Sequence, residues 1–201
     1  LTWRFGVMTE YENWDWFRTV SEKPEDAAKE YCKLYDYTVQ ALIDAIGEEV
    51  FVGAHSMTVT EGHWDESEFI EHIAKGTNYA NGKTGTRVCF LSASFYDYSP
   101  GEYTEGFTLP ETIDFLRSTA ESYGLTGLIY GVDEGRFLVG LEAGKDNDEL
   151  LSRTVGHTYQ AVYDARLWKQ CLDNNIDYYM GSVSKSYISS ETLSFNINVQ
   201  A

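Results

Sequence analysis

The sequence predicts an α/β fold in which helices cover a parallel sheet. Short strand-like segments alternate with longer amphipathic segments along the whole chain, which is the order of βαβ units. The strand-like segments are nearly continuous apolar runs, as expected for strands buried on both faces. The 201 residues are 43% hydrophobic, which is enough apolar material for a sizeable core and excludes intrinsic disorder.

The predicted strands are short and rich in β-branched and aromatic residues. The first ends at Glu10, where the apolar pattern gives way to charged and polar residues. The others are separated by helical segments, so each pair of neighbours can be joined by a crossover. In chain order they are Arg4–Thr9, Val50–Ala54, Arg87–Phe95, Leu125–Val132 and Ile176–Met180, with a weaker candidate at Thr192–Val199.

The predicted helices show apolar residues at helical spacing and have recognisable ends. Gly47, Gly76 and Gly124 stand where helix C-terminal caps are expected, and Asp65 is a candidate N-cap. The polar, glycine-rich segment 78–85 is predicted to be a loop. The helices themselves are Pro24–Ile46, Glu66–Lys75, Pro110–Ser122 and Asn147–Asp173.

Two architectures fit this order of elements, a doubly wound open sheet and part of a (β/α)₈ barrel. Periodicity does not distinguish them. The first strand is not followed by a G-x-G-x-x-G motif, and the sequence contains no G-x-x-x-x-G-K-[ST] motif. The absence of both motifs makes a nucleotide-binding open sheet less favoured.

Composition excludes several classes of partner. The formal charge of −17 repels phosphate backbones, so nucleic acid is not expected to be a partner. No apolar run approaches the roughly 18 residues of a membrane span, so no membrane is expected either. Cys32, Cys89 and Cys171 are far apart and predicted to be buried free thiols. Neither histidine nor cysteine spacing suggests a metal site, and no cofactor is predicted.

Charged and polar residues stand at the ends of the predicted strands. In parallel α/β folds the carboxyl ends of the strands meet at one edge, where active sites gather. Carboxylates directly after an apolar strand are costly to bury without a partner, and a pair of them can divide acid and nucleophile roles. The strand-end segments are Thr9–Asn13, His55–Ser56, Ser94–Asp97 and Asp133–Gly135.

Two of these segments carry a family resemblance. Phe5–Asn13 resembles the strand-four motif of retaining (β/α)₈ glycosidases of the large four/seven superfamily, and Leu128–Gly135 resembles their strand-seven motif. The chain looks most like glycoside hydrolase family 39, the β-xylosidase and α-L-iduronidase type. The resemblance implies that Glu10 is the general acid/base and Glu134 the nucleophile. Thr9 stands where the family has an asparagine that binds the sugar 2-hydroxyl.

The departure at Thr9 leaves two alternatives. Either Thr9 takes the role of the asparagine, or the motif is displaced and Glu12 with Asn13 forms the relevant pair. The resemblance further implies a carbohydrate substrate that aromatic and polar residues near the strand ends contact. Tyr96 is expected to donate a hydrogen bond to Glu134, which would keep that carboxylate ionised. The predicted substrate-binding residues are Thr9, Glu12, Asn13, Trp14, Trp16, His55, His63 and Tyr96.

Each of these residues also has a structural interpretation. Glu10 and Glu134 could be solvated carboxylates or ion-pair partners of nearby arginines, with Arg4, Arg136 and Arg153 as the candidates. The tryptophans could fix the loop after the first strand, and His55 could be a structural histidine.

The resemblance assigns the five clear strands to barrel strands four to eight. Strands one to three would then be missing, and the open edges would expose unpaired backbone groups. We therefore expect an N-terminal half-barrel chain or a second copy to complete the sheet. The alternatives are a carbohydrate-binding descendant with impaired catalysis and an assembly subunit that pairs through its sheet edges. The resemblance slightly favours an extracellular location.

Overall fold

The computed structural model describes residues 3–59, 66–97, 108–137 and 157–181. They form one all-parallel sheet whose strands alternate with helices, which confirms the predicted α/β class. The strands are β1 Arg4–Thr9, β2 Phe51–Met57, β3 Phe90–Asp97, β4 Ile129–Phe137 and β5 Tyr178–Gly181. The helices are α1 Ala27–Ile46, α2 Ser67–Lys75, α3 Leu109–Ser122 and α4 Thr158–Asp173, and a short 3₁₀ turn at Pro24–Asp26 precedes α1.

The strands lie in the sheet in the order in which they occur in the chain, β1-β2-β3-β4-β5. The helices contact each other in the same succession, α1 with α2, α2 with α3 and α3 with α4, so they lie side by side. A doubly wound sheet instead reverses its strand order at a switch point. The described sheet has no such reversal and is therefore singly wound.

The core fills the space between the sheet and these helices. Its centre is a group of aromatic rings in which Tyr11 stacks on Tyr31 at 4.0 Å and Phe69 packs against both Tyr31 and Tyr35. Tyr31 donates a hydrogen bond to the backbone oxygen of Val7 at 2.8 Å, which ties α1 to β1. Much of the aromatic content therefore serves packing.

The opposite face of the sheet is concave. The guanidinium of Arg4 on β1 lies 5.1 Å from the ring of Phe51 on β2 and 5.6 Å from the ring of Tyr178 on β5. In a flat sheet β1 and β5 would be about 19 Å apart, too far for one side chain to reach both rings. The sheet must therefore curl toward this face.

A register irregularity interrupts every pair of strands in the half nearer their carboxyl ends. The breaks follow Val7 on β1, Ala54 on β2, Ala93 on β3 and Val132 on β4. Such bulges bend a strand and re-aim its side chains. Ala93 of β3 pairs with Val132 of β4, but the next residue, Ser94, pairs with Glu134. Asp133 is therefore the extra residue on β4.

Strand boundaries differ from the sequence prediction most at β3 and β4. The third strand was predicted at 87–95 and the fourth at 125–132, and both lie several residues later. Gly127, at φ +72°, belongs to the turn before β4. β4 continues through the charged residues Asp133 and Glu134 because the concave face of the sheet accommodates polar side chains. The segment 147–156 of the last predicted helix and the candidate strand 192–199 lie outside the described residues.

The three cysteines are free thiols, as predicted, although Cys89 is only half-buried. No helix in the described ranges is long and apolar enough to cross a bilayer.

A buried carboxylate joins α1 to the loop after α2. Asp36, fully buried, accepts hydrogen bonds from His72 Nε2 at 2.9 Å, from the backbone nitrogen of Tyr79 at 2.8 Å and from Thr86 Oγ1 at 2.5 Å. Burial alone would raise the pKa of Asp36, but these hydrogen bonds outweigh it and lower the pKa below the ordinary value. The ionised carboxylate therefore organises the glycine-rich loop predicted at 78–85.

Replacing Asp36 with asparagine is expected to lower the free energy of unfolding by about 2–3 kcal/mol at pH 7, because the amide cannot accept all three hydrogen bonds. The wild-type advantage is present above the ordinary carboxyl pKa and is lost as the pH falls through the lowered pKa of Asp36. Denaturant unfolding at pH 7 and at acidic pH measures both effects. Asp44→Asn, at an exposed position of the same helix, is the control and should change stability by less than about 0.5 kcal/mol. Equal effects of the two substitutions would contradict the assignment.

Candidate active site

Glu10 lies on the concave side of the sheet, directly after β1. Ser94 Oγ on β3 donates a hydrogen bond to Glu10 Oε1 at 2.5 Å, and Asn13 Nδ2 lies 3.3 Å from Oε2. The backbone nitrogen of Glu10 donates to the oxygen of Ser56 at 3.0 Å, which fixes the start of the loop after β1. Glu10 therefore reaches across β2 to the central strand, which again requires a curved sheet.

Glu134 faces the same central strand. The hydroxyl of Tyr96 donates to Glu134 Oε1, which is the hydrogen bond predicted from the sequence. Ser94 and Tyr96 are alternate residues of β3, so their side chains share a face and are about 6.6 Å apart along the strand. One face of β3 thus binds both predicted catalytic carboxylates through the hydroxyl groups of Ser94 and Tyr96.

His55 and Asp133 form a pair beneath these carboxylates. His55 Nδ1 lies 2.6 Å from Asp133 Oδ2, and Ser92 Oγ donates to the same carboxylate. The Asp133 side chain is only 7% exposed, and the Tyr178 hydroxyl interacts with both Asp133 and Ser92. The hydrogen bond to Asp133, together with the charges of Asp133 and Glu134, raises the pKa of His55 against the opposing effect of burial. The contact with Asp133 therefore favours the charged form of the His55 imidazole.

The backbone around Glu10 is strained. Met8, Glu10 and Ser56 have φ values of 54°, 44° and 48°, in the left-handed region that side-chain-bearing residues seldom adopt. All three lie at or beside the register breaks of β1 and β2. Strain of this kind persists where surrounding contacts enforce it, and it concentrates at binding and catalytic sites.

Glu12 does not lie in the site. Its side chain has no exposed surface, and neither carboxylate oxygen has a hydrogen-bond partner at ordinary distance. Thr58 and the buried Glu66 are its nearest polar neighbours. Burial raises the pKa of Glu12 to about 7, and longer polar contacts with the backbone and with the side chains of Glu66 and Thr58 offset only part of that effect. The prediction that Glu12 contacts substrate is thereby corrected, because a fully enclosed carboxyl group cannot meet a ligand.

The remaining predicted substrate residues fall into three groups. Asn13 touches Glu10 and is half-buried, whereas the Oγ1 of Thr9 is buried without a partner. Trp14 is half-buried beneath Arg18, and Trp16 is 63% exposed. His63 lies outside the described residues.

Sequence reasoning missed four residues that hold the site together. Three of them carry a hydroxyl group inside a strand, and the fourth is Asp133; Ser94 and Asp133 fall in the strand-end segments, but the sequence indicates no role for either. A signal was present in β3, where small polar residues alternate with apolar ones between Leu91 and Tyr96. That period of two indicates a strand with one polar face. The missed residues are Ser92, Ser94, Asp133 and Tyr178.

The alternative ion-pair interpretation of the two glutamates receives no support from Arg4, whose guanidinium contacts two aromatic rings. The side chain of Arg136 and all of Arg153 lie outside the described part of the structure. Within the described ranges, no group of three or more histidine, cysteine, aspartate or glutamate side chains is placed to bind a metal ion.

No family model, no curated protein and no solved structure matches this chain.

Proposed function

We propose that this chain is a retaining glycoside hydrolase with Glu10 as general acid/base and Glu134 as nucleophile. One observation carries the proposal. Two carboxylates from strands three apart in the sheet order meet the same face of β3, one held by Ser94 and the other by Tyr96. Two carboxyl groups in unlike surroundings are what a double displacement at an anomeric carbon needs.

The proposed reaction has two steps. A Glu134 oxygen bonds to the anomeric carbon as the glycosidic C–O bond breaks, and Glu10 gives its proton to the departing oxygen. Glu10, now ionised, removes a proton from water, whose oxygen attacks the same carbon and releases Glu134. The hydroxyl of Tyr96 stabilises the negative charge of Glu134 before attack and after release.

We propose further that the sheet is the strand-four to strand-eight part of a (β/α)₈ barrel. The sequential strand order, helices on one side and a concave opposite face support this assignment. In the described residues β1 and β5 each pair with one strand only. These edges are where a half-barrel partner or a second copy of the chain would add its strands.

A second candidate is a carbohydrate-binding protein that does not turn substrate over. Thr9 favours it, because its hydroxyl is enclosed and cannot reach a sugar 2-hydroxyl in this conformation. Exposed Trp16 and half-buried Trp14 would still offer apolar surface on which a sugar ring can stack. Turnover separates the candidates.

Hydrolysis of a panel of aryl glycosides, followed by NMR of the first product anomer, tests the proposal. We expect net retention, since water attacks the carbon that Glu134 has already inverted once. Glu10→Gln should lower kcat/KM, which reports the first step, by about 10²–10⁴-fold for glycosides of poorly acidic phenols and hardly change it for those of acidic phenols, which leave without a proton. Glu25→Gln, in the exposed turn before α1, is the control.

Inverted product would rule out Glu134 as a nucleophile. An equal loss of kcat/KM for all leaving groups in Glu10→Gln would rule out its role as the acid. Sugar binding without turnover of any glycoside would support the second candidate instead.

A further inference from the structure

The ion pair of His55 and Asp133 has no part in the two steps of glycoside hydrolysis. It is nevertheless built into the floor of the site. Asp133 is held by Ser92 and Tyr178 as well as by His55, and its side chain is nearly enclosed. His55 Nδ1 lies 2.6 Å from the Asp133 carboxylate, close enough for a protonated imidazole to act as its counter-ion.

The orientation of the imidazole ring is fixed by β1. Gly6 lies directly opposite the ring, and a Cβ at that position would be 2.7 Å from His55 Cβ and 3.0 Å from Nδ1. A side chain at position 6 would therefore displace the histidine. Nδ1 contacts Asp133, and 38% of the His55 side chain remains exposed.

The charges around His55 come from particular elements. β4 contributes Asp133 and Glu134, both of which act electrostatically on the imidazole. β3 contributes the neutral hydroxyl of Ser92, and β5 contributes Tyr178, which faces His55 across Asp133. His55 thus adds a positive charge to a pair of acidic side chains that are adjacent in sequence.

We propose that His55 is a positioning residue whose imidazolium charge keeps Glu134 ionised, so that the proton shared by the two catalytic carboxyl groups stays on Glu10. The proposal rests on the proposed glycosidase function. Without the imidazolium, Asp133 and Glu134 would be two neighbouring negative charges in a partly buried site, and one of them would take up a proton. A protonated Glu134 cannot attack carbon.

The structure makes the two catalytic carboxyl groups unequal in this way. Glu134 has a phenol donor and acts electrostatically on a nearby imidazole whose pKa is raised. Among the described residues, the donors to Glu10 are the neutral side chains of Ser94 and Asn13. The asymmetry assigns the nucleophile to β4 independently of any motif.

NMR of the free protein tests the charge relation without substrate. The His55 imidazole should remain protonated to a higher pH than an ordinary histidine. In His55→Gln the Glu134 carboxyl carbon should report proton uptake about one pH unit higher than in wild type, the effect of losing one nearby opposite charge. His72→Gln, which removes the other histidine paired with an aspartate, is the matched control and should leave Glu134 unchanged.

The pH profile of kcat/KM tests the consequence. His55→Gln should move the acidic limb about one unit toward neutral pH, with the alkaline limb and the His72→Gln profile unchanged. A uniform loss at every pH would show a merely structural role and would overturn the proposal, as would a wild-type His55 that is neutral at pH 7. Should wild type hydrolyse no glycoside, the proposed function fails, whereas the NMR titrations still decide whether His55 controls the charge of Glu134. If His55→Gln does not fold, the titration of His55 in the wild-type protein still tests the proposal.

Discussion

Glu134→Gln is expected to lower kcat on an aryl glycoside by at least about 10⁴-fold while sugar binding is retained, as found when the nucleophile of a covalent mechanism is removed. Glutamine has nearly the same shape and can still accept the hydrogen bond from Tyr96. The amide oxygen is a poor nucleophile, however, so the first bond to the anomeric carbon does not form. Steady-state kinetics and calorimetric titration with the sugar measure the two effects separately.

A second variant makes this result specific to the nucleophile. Glu134→Ala opens a space beside the anomeric carbon, and a small anion such as azide should enter it and restore glycosyl transfer to the anion. Glu121→Gln, at an exposed position of α3, is the control and should retain full activity. Turnover of Glu134→Gln within tenfold of wild type would contradict the assignment.

Glu12→Gln is expected to raise the free energy of unfolding by about 3 kcal/mol at pH 8. The wild-type carboxyl group must ionise there while enclosed beside the carboxyl of Glu66, and no described residue gives either oxygen of Glu12 a hydrogen bond of ordinary length. A neutral amide avoids the burial of that charge. Denaturant unfolding of the two proteins across a range of pH measures the difference.

The pH dependence of this effect has a definite sign. The pKa of Glu12 is raised to about 7 in the folded chain, above its ordinary value of 4.5. The stabilisation by the protonated group is complete below pH about 4.5 and is lost as the pH rises toward 7. Wild type and Glu12→Gln should therefore differ little at pH 4 and most at pH 8.

The exposed Glu48→Gln should show no such divergence with pH. A difference between wild type and Glu12→Gln that stays constant from pH 4 to pH 8 would mean that Glu12 is ionised throughout.

The order and type of the described elements follow from local pattern, because each has a strong period and a recognisable cap. Helix α1 ends where Gly47 indicates, whereas Pro24 begins the 3₁₀ turn that precedes it. Local pattern does not predict where β3 and β4 end. Polar residues usually mark the end of a strand at a solvated edge, but in β3 and β4 the strand continues through them because they face other polar side chains across the concave surface.

The same long-range contacts limit what the sequence shows of the site. The hydrogen bond of Tyr96 with Glu134 could be predicted because the resemblance to (β/α)₈ glycosidases implies it. His55 with Asp133 joins residues 78 positions apart across an intervening strand, and a pattern along the chain carries no information on that pairing. Glu12 illustrates the converse, since a carboxylate two residues after Glu10 looks like part of the site and is instead enclosed beside Glu66.

The register breaks divide each strand into two parts with separate tasks. Before the breaks the ladders are regular and include core residues such as Val52 and Leu91; beyond them lie Glu10, His55, Ser94 and Glu134. A bulge accommodates a one-residue shift in register. A residue inserted or deleted beyond the bulge therefore changes the direction of the side chains near the strand ends but does not move the core residues to the other face of the sheet. Such a sheet can exchange one set of reactive groups for another during evolution while its interior stays the same.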